Sequence, residues 1–137
     1  MTDQEAGYRE IEHTADWELA VWAPDLCTLL EQAGRGMYAL AGARLKDAPR
    51  QERGFELHGV DAEALLVSFL SELLYITEQE ILGFDQYRLN VDGFHLRARL
   101  VGAPLASLDK EIKAVTYHNL AIRHTERGLE AHIVFDV

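Results

Sequence analysis

The sequence predicts an α+β fold, a mostly antiparallel sheet with two helices packed on one face. Segments that alternate apolar and polar residues recur near both ends of the chain. Two longer segments instead carry apolar residues at helical spacing. The order runs strands, helix, strand, helix, then four strands, which fits helices laid over an antiparallel sheet rather than alternating βαβ units. At 137 residues, 48% hydrophobic and 26% charged, one domain spanning 1–137 is expected, with a sizeable core.

Tyr8 to His13 alternates weakly and reads as a strand. Glu18 to Ala23 reads as a second strand, with Leu19 and Val21 on one face and Ala20 and Trp22 on the other. Thr14-Ala15-Asp16 between them is turn-like. Pro24-Asp25 then opens a helix whose stripe is Leu26, Leu29, Leu30, Ala33, Met37, Leu40 and Ala41. Gly34 and Gly36 lie inside it, each costing about 1 kcal/mol relative to alanine. Close packing of another element against them is the expected compensation.

Residues 42–54 are polar, contain a proline and read as a loop, followed by a short strand at Phe55 to His58. Asp61 is a good N-cap for the strongest helix, with Leu65, Leu66, Phe69, Leu70, Leu73 and Leu74 on its apolar face and Glu63, Ser71 and Glu72 off it. Residues 83–102 read as a hairpin turning at Asp92-Gly93. Residues 104–110 read as a loop or a helical turn. Val115 to Ile122 and Leu129 to Val137 read as strands, with Arg127-Gly128 turning between them. In the last strand Leu129, Ala131, Ile133, Phe135 and Val137 share one face, opposite Glu130, His132, Val134 and Asp136.

The net charge of -10 disfavours broad binding to phosphate backbones and favours cations and basic partner surfaces. The one cysteine, Cys27, sits among leucines and reads as a buried thiol. The acidic start, Met1 to Glu5, has no apolar run behind it, so no secretory signal is expected. No apolar stretch is long enough to span a bilayer. Walker, dinucleotide and Gly-x-Ser-x-Gly motifs are absent.

Asp136 lies on a β-prone segment, where aspartate is disfavoured. If the two ends of the chain pair, Asp16, Asp136 and the terminal carboxylate of Val137 could converge, three hard oxygen donors suited to a hard cation. Each also has a plainer reading, Asp16 as a turn residue and Asp136 as a solvated one. His13 could bond the turn, bind metal or move protons. Lys113 is either solvated or a partner for carboxylates or phosphate, and Glu72 either a solvated helix residue or a further acid near the site. His58, His95, His118, His124 and His132 share no ligand spacing and read as surface or half-buried residues.

Four segments in order, His13-Thr14-Ala15-Asp16, Leu65 to Tyr75, Glu111 to His118, and Val134-Phe135-Asp136-Val137, resemble those of the archease family across nearly the whole chain. The resemblance implies a small cytoplasmic accessory protein of the GTP-dependent RNA ligase that joins tRNA halves. Such proteins promote loading of guanylate onto the ligase and its multiple turnovers, meeting tRNA only through the ligase. It also implies a divalent cation, usually calcium, held by Asp16, Asp136 and a main-chain oxygen of Val137. Magnesium or manganese suits the same oxygens. Glu72 and Lys113 fall at family positions that also look functional. Trp17-Glu18 departs from the small or aliphatic residues common after the motif. A stand-alone metal-dependent hydrolase and a chaperone-like binding module are the alternatives.

Overall fold

The computed structural model describes residues 5–12 and 17–137. Among these, the strands in chain order are β1 (Gly7–Ile11), β2 (Trp17–Ala23), β3 (Arg44–Leu45), β4 (Gln51–His58), β5 (Leu82–Asp92), β6 (His95–Ser107), β7 (Ala114–Val115), β8 (Arg123–Thr125) and β9 (Gly128–Asp136). The helices are α1 (Leu26–Ala41) and α2 (Ala62–Glu80). The α+β class read from the sequence holds, with the antiparallel strands divided between two sheets. One runs β1-β2-β9-β7, with β8 also on β9. In the other, β6 pairs with β3, β4 and β5.

Both helices start where side-chain chemistry supplies an acceptor. The Asp25 carboxylate accepts from the Thr28 N–H at 2.7 Å, and the Asp61 carboxylate from the Ala64 N–H at 2.7 Å. The stripe of α1 buries Leu29, Leu30, Ala33 and Met37, and that of α2 buries Leu65, Leu66, Phe69, Leu70 and Leu73. Each such leucine contributes about 1.5–3 kcal/mol through burial.

The two glycines of α1 explain how one helix serves both sheets. A Cβ on Gly36 would lie 2.6 Å from a Leu19 methyl on β2 and 2.8 Å from the Tyr8 ring on β1. A Cβ on Gly34 would lie 2.9 Å from the Tyr87 ring on β5 and 3.2 Å from Leu73 on α2. The helix axis therefore approaches both sheets closely, and one core joins Leu19, Val21, Ile133 and Phe135 of the first sheet to Leu96, Ala98 and Leu100 of the second.

Several boundaries differ from the sequence reading. Within 42–54, Arg44–Leu45 pairs with β6, and β4 already begins at Gln51. The hairpin turn sits one residue later, with Asp92 opposite His95 and Gly93 at φ 62. β6 runs through Pro104 to Ser107, where a loop was expected. Pro104 lacks an N–H, but its carbonyl accepts from the Lys46 N–H at 2.8 Å, and the Leu105 N–H reaches the Ile81 carbonyl at 2.8 Å. The strand expected over 115–122 stops after Val115.

Candidate metal centre at the end of the last strand

The end of β9 is fixed from both sides. Trp17, the first residue of β2, pairs with Phe135. On the other side, Val115 pairs with Phe135 and Ala114 with Asp136. The Lys113 N–H donates to the Asp136 carbonyl at 2.8 Å. The Thr116 N–H and hydroxyl both donate to the Val134 carbonyl, each at 3.0 Å. Phe135 is buried, so strand alternation turns Asp136 outward, where it is exposed. Val137 is half-buried and packs against the core. A carboxylate thus stands beside the main chain of Val137 on a rigid strand end.

Of the sequence-predicted residues, the structure brings Asp136, Val137 and the main chain of Lys113 together. The Lys113 side chain is exposed. Glu72 is half-buried on α2, the helix that packs against β7, and its carboxylate makes no ion pair or side-chain hydrogen bond among the described residues. His13 and Asp16 lie outside the described residues. Asp136 and Val137 offer hard oxygen donors, the type that calcium, magnesium or manganese takes. Among the described residues no three His, Cys, Asp or Glu side chains group to hold an ion.

Two neighbours were missed by the sequence reading. Trp17 is half-buried beside Phe135, and the Lys110 ammonium lies 5.8 Å from the centre of its ring, within reach of a cation–π contact. The segment carrying Lys110 and Lys113 is held at the end of α1, where the Asp109 and Lys110 N–H groups both donate to the Ala41 carbonyl, at 2.9 and 3.1 Å. That segment also walls a cleft of about 360 Å³ between α1, α2 and the end of β6, lined by Met37, Ala41, Leu74, Leu105 and Ile112. Within its lining the Tyr38 hydroxyl and Thr77 Oγ1 share a buried hydrogen bond of 2.8 Å. Burial pushes the Tyr38 phenol up to about 12. Only tertiary folding assembles this cleft, so no sequence motif marks it.

The other histidines and Cys27 lie away from this strand end or pair elsewhere. His132 pairs with Glu18 across strands at 3.1 Å, and His95 with Glu56 at 3.0 Å. His58 and His95 face each other in register, with ring centres 6.4 Å apart. His118 meets Asn119 at 3.3 Å, and His124 is exposed on β8. The Cys27 thiol is half-buried and donates to the Leu89 carbonyl at 3.2 Å. Burial first, then Asp25 and Glu31, raise its pKa, as expected for a structural thiol.

Comparison with known proteins completes the picture. Residues 8–137 match the model of the archease protein family (MTH1598/TM1083). The chain belongs to the archease family. The archease of Methanosarcina barkeri is 32% identical over 146 aligned positions, covering all of both chains. The archease of Archaeoglobus fulgidus is 30% identical, over 95% of this chain and 98% of its own. A crystallised Thermotoga maritima archease, described as a possible chaperone, shares the fold with a TM-score of 0.70 at 24% identity. That match covers 94% of this chain and 96% of the other. Among the described residues of this family member, no helix is long and apolar enough to cross a membrane.

Proposed function

We propose that this chain is an accessory factor that binds a divalent cation and activates a GTP-dependent tRNA-splicing RNA ligase, rather than a stand-alone enzyme. In this reading it promotes guanylylation of the ligase and its repeated turnover in the cytoplasm, and meets tRNA only through the ligase. Membership of the archease family supports the reading. The single observation that carries the cation site is the pairing of Trp17 with Phe135. Each is chain neighbour to one proposed ligand, Asp16 and Asp136, so one strand pair links the two segments that bear them.

Asp16, Asp136 and the main-chain oxygen of Val137 are the proposed ligands, with calcium the expected ion. When bound, the cation supplies positive charge beside a triphosphate and lowers the cost of bringing anionic groups together. The chain's own residues do the positioning. The Lys113 N–H holds the Asp136 main chain at 2.8 Å while the Lys113 ammonium stays exposed and free to meet a phosphate. Glu72 adds a further acid on the helix adjoining β7, and His13 a group able to carry a proton near neutrality. The acidic surface, at net charge -10, complements a basic RNA-binding face on the ligase.

The test is guanylylation of the ligase with and without this protein. Wild type accelerates it, and Asp16→Ala and Asp136→Ala each remove the acceleration. Equal activity of wild type and both variants overturns the cation site. The description of the Thermotoga maritima relative supports a second reading, a chaperone-like binding module, in which Asp16→Ala leaves partner binding intact. Turnover of phosphoesters by the isolated protein would instead make it a metal-dependent hydrolase.

A further inference from the structure

The outer face of the second sheet gathers arginines. Alternation along β4, β5 and β6 turns Gly54, Glu56, Arg88, Asn90, Arg97 and Arg99 to that face, where all six are exposed. In register, Arg88 on β5 stands directly opposite Arg99 on β6, and Gly54 on β4 is the neighbour of Arg99 on its other side. Arg97 follows one row on, between Asn90 and Glu56. Like charges directly across a strand pair destabilise a sheet, so this arrangement is held at a cost. The other arginines of these strands are matched: Arg99 pairs with Glu52, Arg97 with Glu56 at 3.4 Å, and Arg53 with Glu80. Arg88 makes no ion pair or hydrogen bond among the described residues. The pairs at Arg97 and Arg99 are more than half exposed on both sides, so they hold those guanidinium groups weakly.

Gly54 opens a hollow of about 670 Å³ on this face, lined by Glu56, Arg88, Asn90, Arg97 and Arg99. A Cβ on Gly54 would lie 3.4 Å from the Ala98 carbonyl, an ordinary contact, so space does not require glycine here. Glycine inside a strand weakens it and often marks close approach of a ligand. Three arginines face one carboxylate in the lining, within a chain of net charge -10. Glu52 borders the patch as the partner of Arg99, and Asp92 lies one row beyond Arg97, opposite His95. The nearby aromatic residues point inward, Phe55 against Phe69 and Tyr87 against Gly34. The outward lining therefore offers guanidinium groups and an amide, and no ring on which a nucleobase stacks.

We propose that this hollow binds a compact phosphate anion, of the di- or triphosphate class, through the guanidinium groups of Arg88, Arg97 and Arg99. The bound anion offsets the repulsion between Arg88 and Arg99, and the Asn90 amide adds a neutral donor. The net charge of the whole chain repels a long nucleic-acid backbone, which favours a compact anion as the occupant. The site lies on the other sheet from Asp136 and is independent of the proposed cation centre.

The test is a titration of the full chain, in metal-free buffer at low salt, with inorganic tripolyphosphate, read by amide chemical shifts. Saturable one-to-one binding is expected, with shifts centred on Gly54, Arg88, Arg97 and Arg99, and weaker binding as salt rises. Arg88→Gln should weaken binding about tenfold through loss of one charge-assisted contact. Its melting temperature should hold or rise, because the like-charge pair is relieved. A merely structural arginine would not separate the two readouts in this way. Gly54→Thr fills the hollow with a better strand former, and should likewise weaken binding while the melting temperature holds or rises. Asp136→Ala should leave binding unchanged, which separates this site from the cation reading. Shifts centred on Lys110 and Lys113, equal binding by wild type and Arg88→Gln, or no saturable shift would overturn the proposal. So would a hydroxyl-ended RNA oligonucleotide that binds the same residues more tightly than tripolyphosphate, since the face would then be a nucleic-acid surface.

Discussion

The main-chain N–H of Lys113 donates to the carbonyl of Asp136 at 2.8 Å. This bond joins the segment leading into β7 to the last residue of β9, and so fixes a carboxylate that would otherwise sit on a fraying strand end. On the opposite edge, Trp17 pairs with Phe135. The acidic end of the strand is thus held by two neighbours whose side chains include cations and an indole.

Calcium should stabilise the protein if these oxygens hold it. Wild type should melt at higher temperature with calcium chloride than with chelator, by an amount equivalent to about 2.7 kcal/mol at a hundred times Kd. Asp136→Asn removes a charged donor while keeping the shape, and should abolish the calcium-dependent rise. An Asp136→Asn variant that responds as wild type does would place the ion elsewhere.

Gly36→Ala should destabilise the fold despite alanine's better helix propensity. The added carbon would meet Leu19 at 2.6 Å and Tyr8 at 2.8 Å. Both belong to strands packed on the helix, and Tyr8 is met near its backbone. Overpacking of this kind costs about 1–3 kcal/mol, against the roughly 1 kcal/mol that alanine gains in the helix. Urea denaturation should move the midpoint down.

Alkali should destabilise the protein from within its core. The Tyr38 phenol is raised from 10.0 to about 12, chiefly by burial. The folded value lies above the unfolded one, so this contribution is whole below pH 10 and disappears as pH rises through 12. The loss is roughly 2–3 kcal/mol. Tyr87, raised well above 10.0 by burial and then by Tyr38, acts in the same direction. Urea midpoints at pH 9 to 11.5 should fall across this window. Tyrosine absorbance at 295 nm should report the two phenols only as the protein unfolds.

Asp61→Ala should cost about 1 kcal/mol, because it removes the acceptor for the Ala64 N–H at the start of α2. Asp61→Asn keeps an oxygen at that place and should recover most of the loss. Thermal melts of the pair check this.

The sequence by itself determined both helices, the Asp61 cap, the central hairpin and the alternation of β9. Each depends on residues close in the chain: a period of apolar side chains, a cap three residues from its donor, a turn glycine. The proposed cation ligands were legible as residue types on segments near the chain's two ends, and Asp136 because a strand gives an aspartate no packing role. What lies far apart in sequence was decided only by the tertiary structure. Arg44–Leu45 and the Pro104–Ser107 end of β6 are strands because they pair with each other, and Leu82 of β5 pairs with Pro104. Residues 116–122 are no strand despite their β-prone side chains. Their donors go instead to Val134, to a turn at Tyr117 and to the Glu63 carboxylate, which the Ile122 N–H reaches at 2.9 Å. The division into two sheets, the place of α1 between them and the cleft at the end of β6 follow from such distant pairings. Local periodicity carries no record of which distant hydrogen-bond partner a segment will find.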